Sequence, residues 1–191
     1  HLEAGAQWAD TPRQVAAATE VVMTSLPGPF EVEAVALGED GLAQGLCEGN
    51  VYLDLSTSSP ALIRRIHAQF ASRGVHVLDA PVSGGRAGAL AGTVTVMWAG
   101  PAIELDRRRD ALASFAANVF HVGDEPGQGQ ALKILNNFLS GTAMAATSEA
   151  ILYGLSQGLG MGIMLDVINA SSGVNSASRD KFPERVLTGT F

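Results

Sequence analysis

The segment Asp79 to Thr93, DAPVSGGRAGALAGT, sets glycines at 84, 85, 88 and 92 behind the hydroxyl of Ser83. Glycine admits positive φ and close approach of a ligand to the main chain, and successive N–H groups in such a loop can hold a small anion such as a carboxylate. The same cluster suits a plain turn between two strands, and spacing alone divides the two readings evenly. Lys133 is the second candidate. On a helix its neighbours three and four places away are Gly129, Gln130, Asn136 and Asn137, so no carboxylate is placed to pair with it. Asn137 lies one turn on, on the same face. A lysine in such a stretch can be partly desolvated, which lowers its pKa toward the range useful for proton transfer. It can equally snorkel to solvent at the helix start, and composition alone favours that second reading.

Other residues carry less. Gly127-Gln128-Gly129 begins like a dinucleotide fingerprint, but Leu132 stands at the third glycine position and no βαβ crossover follows, so that reading is rejected. His67, His76 and His121 lack metal-ligand spacing, His1 is terminal, and the methionines of the long apolar stretch read as core filler. Asp54 and Asp79 fall at strand ends, where stabilising a turn is at least as good a reading as acid–base work.

These residues need a scaffold, and the pattern supplies one. Thr11 to Gln14 reads as a capped helix start, Glu20 to Leu26 as a strand, and Phe30 to Leu37 as a helix. Val51 to Leu55 is a second strand. Ser59-Pro60 opens a helix with Leu62, Ile63, Ile66 and Phe70 on one face and Gly74 at its end. Val75 to Leu78 and Thr93 to Trp98 are further strands, followed by a charged helix over 102–115 and a short strand near Val119 to Val122. Near-continuous apolar strands alternating with helices predict an α/β fold with a parallel sheet covered on both faces. Ligands of such sheets collect at the carboxyl ends of the strands. There the chain places Pro27-Gly28-Pro29, Ser56-Thr57-Ser58 and Pro81 to Gly85. From Gln128 to about Gln157 the only charges are Lys133 and Glu149, which predicts a long, largely buried helix; further helices are expected over about 163–170 and 176–187.

Composition narrows the function. The 191 residues are 47% apolar and 16% charged, a globular rather than disordered composition. With a net charge of −7 and only twelve Lys and Arg, the chain has no basic stripe for phosphates, so nucleic-acid binding is not expected. A single cysteine, Cys47, excludes an intrachain disulfide and a thiolate metal cluster. No run reaches the ~18 apolar residues of a membrane span and no secretory signal is seen, so the reading is a soluble, cytoplasmic protein with no membrane partner.

The segments DAPVSGGRAGALAGT and GQGQALKILNN (Gly127 to Asn137) resemble the β-hydroxyacid dehydrogenase family, of the 3-hydroxyisobutyrate dehydrogenase and glyoxylate or semialdehyde reductase type. SLP at 25–27, DLSTSSP at 54–60 and SEA at 148–150 extend the likeness over essentially the whole chain. The resemblance implies a partial Rossmann-type domain over 1–126, followed over 127–191 by the start of an all-helical domain that begins with the interdomain helix. It implies hydride transfer between NAD or NADP and a small 3-hydroxy acid or its semialdehyde. Lys133 would be the general acid/base. Ser83, Gly84 and Gly85 would hold the substrate carboxylate and Asn137 would orient the substrate. Leu26, Pro27 and Thr57 match positions that approach the nicotinamide.

The family's opening strand, GxGxxG turn and helix, a unit of about 30 residues, is not in this sequence. Members also continue beyond the equivalent of Phe191, so a truncated copy of a longer enzyme is expected, forming a homodimer or homotetramer. The readings set against this one are an imine reductase-like enzyme, whose relatives generally replace the lysine, and a non-catalytic binding or oligomerisation module of the same fold.

Overall fold

The computed structural model describes residues 2–190; His1 and Phe191 lie outside the described residues. Tertiary contacts divide the chain into two units, the first ending at Ile134 and the second beginning at Leu135.

The first unit is a sheet with helices on both faces. In chain order it holds α1 (Pro12–Ala18), β1 (Val21–Thr24), α2 (Pro29–Leu37), β2 (Val51–Asp54), α3 (Pro60–Ala71) and β3 (His76–Asp79). Then come β4 (Val82–Ser83), α4 (Gly85–Ala91), β5 (Val94–Ala99), α5 (Ala102–Ala113) and β6 (Ala116–Gly123). The helix starts are chemically marked. Thr11 caps α1 by accepting from Gln14 N, and Ser59 caps α3 by accepting from Leu62 N, each just ahead of a proline whose missing N–H costs the first turn nothing. Gln14 Oε1 accepts from Asp10 N at 2.7 Å, one residue beyond the Thr11 N of the expected capping box.

β1, β2 and β3 are parallel, in register from Val21 beside Val51 and from Val51 beside His76. Beyond β3 the expected all-parallel sheet is not found. β5 runs antiparallel to β3 and β4, and β6 runs parallel to β5, giving a mixed sheet. In between, the glycine-rich segment forms the two-residue β4 and the seven-residue α4, and β5 returns antiparallel beside both β3 and β4.

Alternation along β2 shows how the sheet is filled. Tyr52 joins Val22, Val32, Ile63, Ile66 and Phe70 on one face, while Val51 and Leu53 join Leu78, Val96, Trp98, Leu105 and Leu112 on the other. Burying each such large side chain contributes about 1.5–3 kcal/mol relative to exposure, which holds both helical layers to the strands.

α6 (Gln128–Ser156) begins in the first unit and continues into the second. Its expected burial is corrected. Leu135, Phe138, Leu139, Leu152 and Tyr153 are exposed, whereas the buried residues at its start are Gly129, Gln130 and Lys133. A helix apolar on every side carries no amphipathic signal for which face is covered, and here the covered face of the first turns is the polar one. In the second unit Ile151 of α6 packs with Met164 and Leu165 of α7 (Met161–Asn169) and with Ala177 and Phe182 of a π-helical segment, Ala177–Val186.

Candidate active site

The carboxyl ends of β1, β2 and β3 stand side by side, with Thr24, Asp54 and Asp79 in register. Parallel strands in register place these three side chains on one face of the sheet. All three are buried. Thr24 Oγ1 donates to Asp54 Oδ1 at 3.0 Å and shares a 2.9 Å hydrogen bond with the Tyr52 hydroxyl, while Ser56 N also donates to Asp54 Oδ1. The first bend after β2 is thereby folded over its own strand end. Burial pushes both carboxyls above the ordinary carboxylate range, and the hydrogen bonds they accept pull against it.

The loops behind these strands are tied together. Leu26 N donates to Ser56 Oγ at 2.8 Å, joining the loop after β1 to the loop after β2, and Val82 N donates to Leu55 O, joining β4 to the same loop. Ser83 is half-buried at the end of β4. Beyond it Gly84 (φ +134°) and Gly85 (φ +58°) are exposed and both occupy positive-φ conformations that disfavour a side chain. Thr57 and Leu26 are half-buried and Pro27 is exposed.

The start of α6 docks onto this edge. Asp79 Oδ1 accepts from Gly127 N at 3.0 Å and Oδ2 from Gln130 N at 2.9 Å, a carboxylate meeting main-chain donors at a helix N-terminus. The Gln130 amide bonds the loop after β2, its Oε1 accepting from Ser58 N at 2.7 Å and its Nε2 donating to Ser56 O at 2.8 Å, and Nε2 also reaches Asp54 Oδ2 at 3.5 Å. Gly129 explains itself by approach: a Cβ there would stand 2.5 Å from Met97 O and 2.9 Å from Asp79 Oδ2. Gly129, Gln130 and Lys133 form one stripe along the helix at spacings of three and four.

The Lys133 side chain lies mostly against the protein, while its amine keeps some contact with solvent. It is only 7% exposed, and among the described residues its amine has no hydrogen-bond or ion-pair partner; desolvation lowers its pKa below the ordinary lysine value. Asn137, four places on, is exposed and belongs to the second unit. No hydrogen bond links Lys133 to Ser83 among the described residues; both elements are instead fastened to the loop after β2. Pattern reading missed Gln130 and, for Asp54 and Asp79, weighed stabilising a turn against acid–base work without the long-range bonds they accept. Their partners lie tens of residues away in sequence, and the available signal was Gly-x-Gly at a helix start, a mark of close backbone approach.

The carboxyl edge of β1, β2 and β3 carries a polar lining. Its lining is short and hydroxyl-rich, its carboxylates are turned inward and engaged, and Ser58 Oγ is buried without a hydrogen-bond partner among the described residues. No group of three or more His, Cys, Asp or Glu among the described residues could hold a metal ion.

A Rossmann-type sheet with such an edge, leading into a long helix, defines a nicotinamide-dinucleotide-binding class of protein. Residues 1–123 match the family described as the NAD binding domain of 6-phosphogluconate dehydrogenase, and residues 127–191 match the NAD-binding family of NADP-dependent 3-hydroxyisobutyrate dehydrogenase. The chain belongs to the β-hydroxyacid dehydrogenase family. It is 42% identical over 176 residues to 3-hydroxyisobutyrate dehydrogenase of Pseudomonas aeruginosa and 40% identical over 176 residues to the NAD-dependent L-serine dehydrogenase of the same organism; each match covers 92% of this chain. The chain spans 59% of the length of either relative. The solved structure of Mycobacterium tuberculosis 3-hydroxyisobutyrate dehydrogenase with L-serine is similar at a TM-score of 0.81 and 31% identity, covering 92% of this chain and 59% of that one.

Proposed function

We propose that this chain forms part of an oxidoreductase that transfers a hydride between NAD or NADP and a small 3-hydroxy acid or its semialdehyde. The observation that carries the reading is Lys133: a largely buried lysine, its amine without a hydrogen-bond or ion-pair partner among the described residues, on a helix docked to the carboxyl edge of a Rossmann-type sheet. Family membership and relatives named for 3-hydroxyisobutyrate and L-serine support the substrate class, since both compounds carry a hydroxyl on the carbon β to a carboxylate.

When bound, the nicotinamide supplies or accepts the hydride. The chain's residues do the rest. Leu26, Pro27 and Thr57 would hold the nicotinamide end, on loops joined by the Leu26–Ser56 hydrogen bond. Ser83, with the main-chain N–H groups of Gly84 and Gly85, receives the substrate carboxylate. Lys133 in its ammonium form gives a proton to the carbonyl oxygen in reduction, and in its neutral form takes the hydroxyl proton in oxidation. A lowered pKa makes both forms accessible nearer neutrality. Asn137, one turn along α6, orients the substrate.

In this reading residues 1–126 are the dinucleotide-binding domain and 127–191 open the helical one. No helix among the described residues is long and apolar enough to cross a membrane. A cytoplasmic homodimer or homotetramer is part of the proposal, supported by the exposed apolar side chains of α6. The test is a screen of the gene-encoded protein with NADH and NADPH against glyoxylate, succinic, methylmalonate and tartronate semialdehydes, read by nicotinamide absorbance. Turnover of a semialdehyde that is lost in Lys133→Ala supports the reading. No turnover with any of them, or turnover unaffected by that substitution, overturns it and favours the non-catalytic module.

A further inference from the structure

We propose that Asp79 and Gln130 are positioning residues for Lys133: the Asp79 carboxylate clamps the first turn of α6 to the end of β3, and the Gln130 amide ties that turn to the loop after β2. The inference rests on the role given to Lys133 above.

The geometry is specific. Both oxygens of Asp79 are engaged, one by Gly127 N and one by Gln130 N, so the carboxylate fixes the helix axially and in rotation. Gln130 fixes it laterally through Ser56 O and Ser58 N. Gly129 lets the helix backbone descend onto Asp79 and Met97. One turn later on the same stripe stands Lys133, whose own side chain has no partner to hold it among the described residues. Its placement is inherited from the turn before. Among the described residues neither Asn136 nor Asn137, both exposed, makes a side-chain hydrogen bond that would supply a second tether.

A merely structural clamp and a positioning clamp differ in what Lys133 experiences. Lys133 and Lys181 are the only lysines, and Lys181 lies in the second unit, where it donates to Ser140 Oγ. Reductive ¹³C-methylation labels every lysine and the α-amino group; the Lys133 resonance is assigned by its loss in Lys133→Ala, and that of Lys181, assigned in the same way, is the internal control, with no cofactor or substrate needed. Asp79→Asn keeps the shape but leaves one of the two N–H groups facing an amide instead of an oxygen. Gln130→Ala keeps both bonds to Asp79 and removes the side-chain bonds to Ser56, Ser58 and Asp54, so it serves if Asp79→Asn does not fold. In either folded variant the Lys133 resonance titrates at higher pH than in the parent, as more water reaches the amine, while Lys181 is unmoved. In steady-state kinetics kcat falls ~10–100-fold with KM for the cofactor unchanged, and Asp79→Glu, which retains two oxygens, recovers part of the loss. A Lys133 titration that stays put, or moves together with Lys181, overturns the proposal. If Lys133→Ala retains turnover, the functional reading fails instead, while the titration still decides whether the clamp sets the environment of that amine.

Discussion

Asp54 and Asp79 occupy the same register position on neighbouring parallel strands, and both side chains are wholly buried. Two carboxyls brought so close would be a liability in an apolar core. Here both are supplied with donors: Asp54 receives Thr24, Ser56 and, at 3.5 Å, Gln130 Nε2, and Asp79 receives the main-chain N–H groups of Gly127 and Gln130. One closes the loop after β2 and the other seats α6, so the pair acts as the fastening between the sheet and the helix that bears Lys133.

That pair predicts a pH-dependent stability. Both folded-state pKa values are raised, chiefly by burial. A raised carboxyl stabilises fully below its unfolded value, and the contribution is lost as pH rises through the folded one. Asp54→Asn retains an oxygen for Thr24 and Ser56 but removes one titration. Its stability relative to the parent therefore improves as pH climbs from the ordinary carboxylate range toward neutrality. Urea unfolding of both proteins across that window measures the difference, and parallel curves would contradict it.

Lys133→Ala removes the proposed proton donor while leaving the sheet edge intact. Turnover falls ~10²–10⁴-fold, the usual worth of a positioned acid or base, and cofactor affinity by fluorescence titration is nearly unchanged. In the parent, oxidation speeds up and reduction slows as pH rises through the lowered lysine pKa, so the two pH–rate profiles mirror one another below the ordinary lysine range.

The glycine pair after Ser83 separates by surroundings. At Gly85 (φ +58°) an added Cβ meets nothing, whereas at Gly84 (φ +134°) it comes within 3.3 Å of Val94. Gly85→Ala costs about 1–2 kcal/mol from the left-handed backbone alone, and Gly84→Ala costs more in thermal unfolding. Ser83→Ala leaves the fold untouched and raises KM for the acid. A change in KM confined to the cofactor would remove this loop from substrate binding.

What could be read from the sequence was whatever a local pattern encodes. The face of α3, its Ser59 cap and the buried quartet Leu62, Ile63, Ile66 and Phe70 follow from spacing alone, and three parallel strands follow from their apolar runs. The antiparallel return through β4 and β5 did not, because DAPVSGGRAGALAGT contains too few residues per element to show a period. The glycine-rich loop and Lys133 stood out by residue type. Gln130 did not, since a glutamine announces nothing until its partners, Ser56 and Ser58, are folded beside it.

Gly129 gives the sharpest packing test. A methyl group there meets the main-chain oxygen of Met97 and the Asp79 carboxylate, neither of which can swing aside as a flexible side chain would. Gly129→Ala must lift the first turn of α6, and overpacking of this kind costs about 1–3 kcal/mol despite alanine's better helix propensity. The substitution lowers the melting temperature and, because Lys133 lies four residues on, lowers kcat as well. Gly141→Ala on the same helix, where an added Cβ meets nothing, is the control: it raises stability by up to ~1 kcal/mol. Equal effects of the two substitutions would show that α6 is not held against the sheet at Gly129.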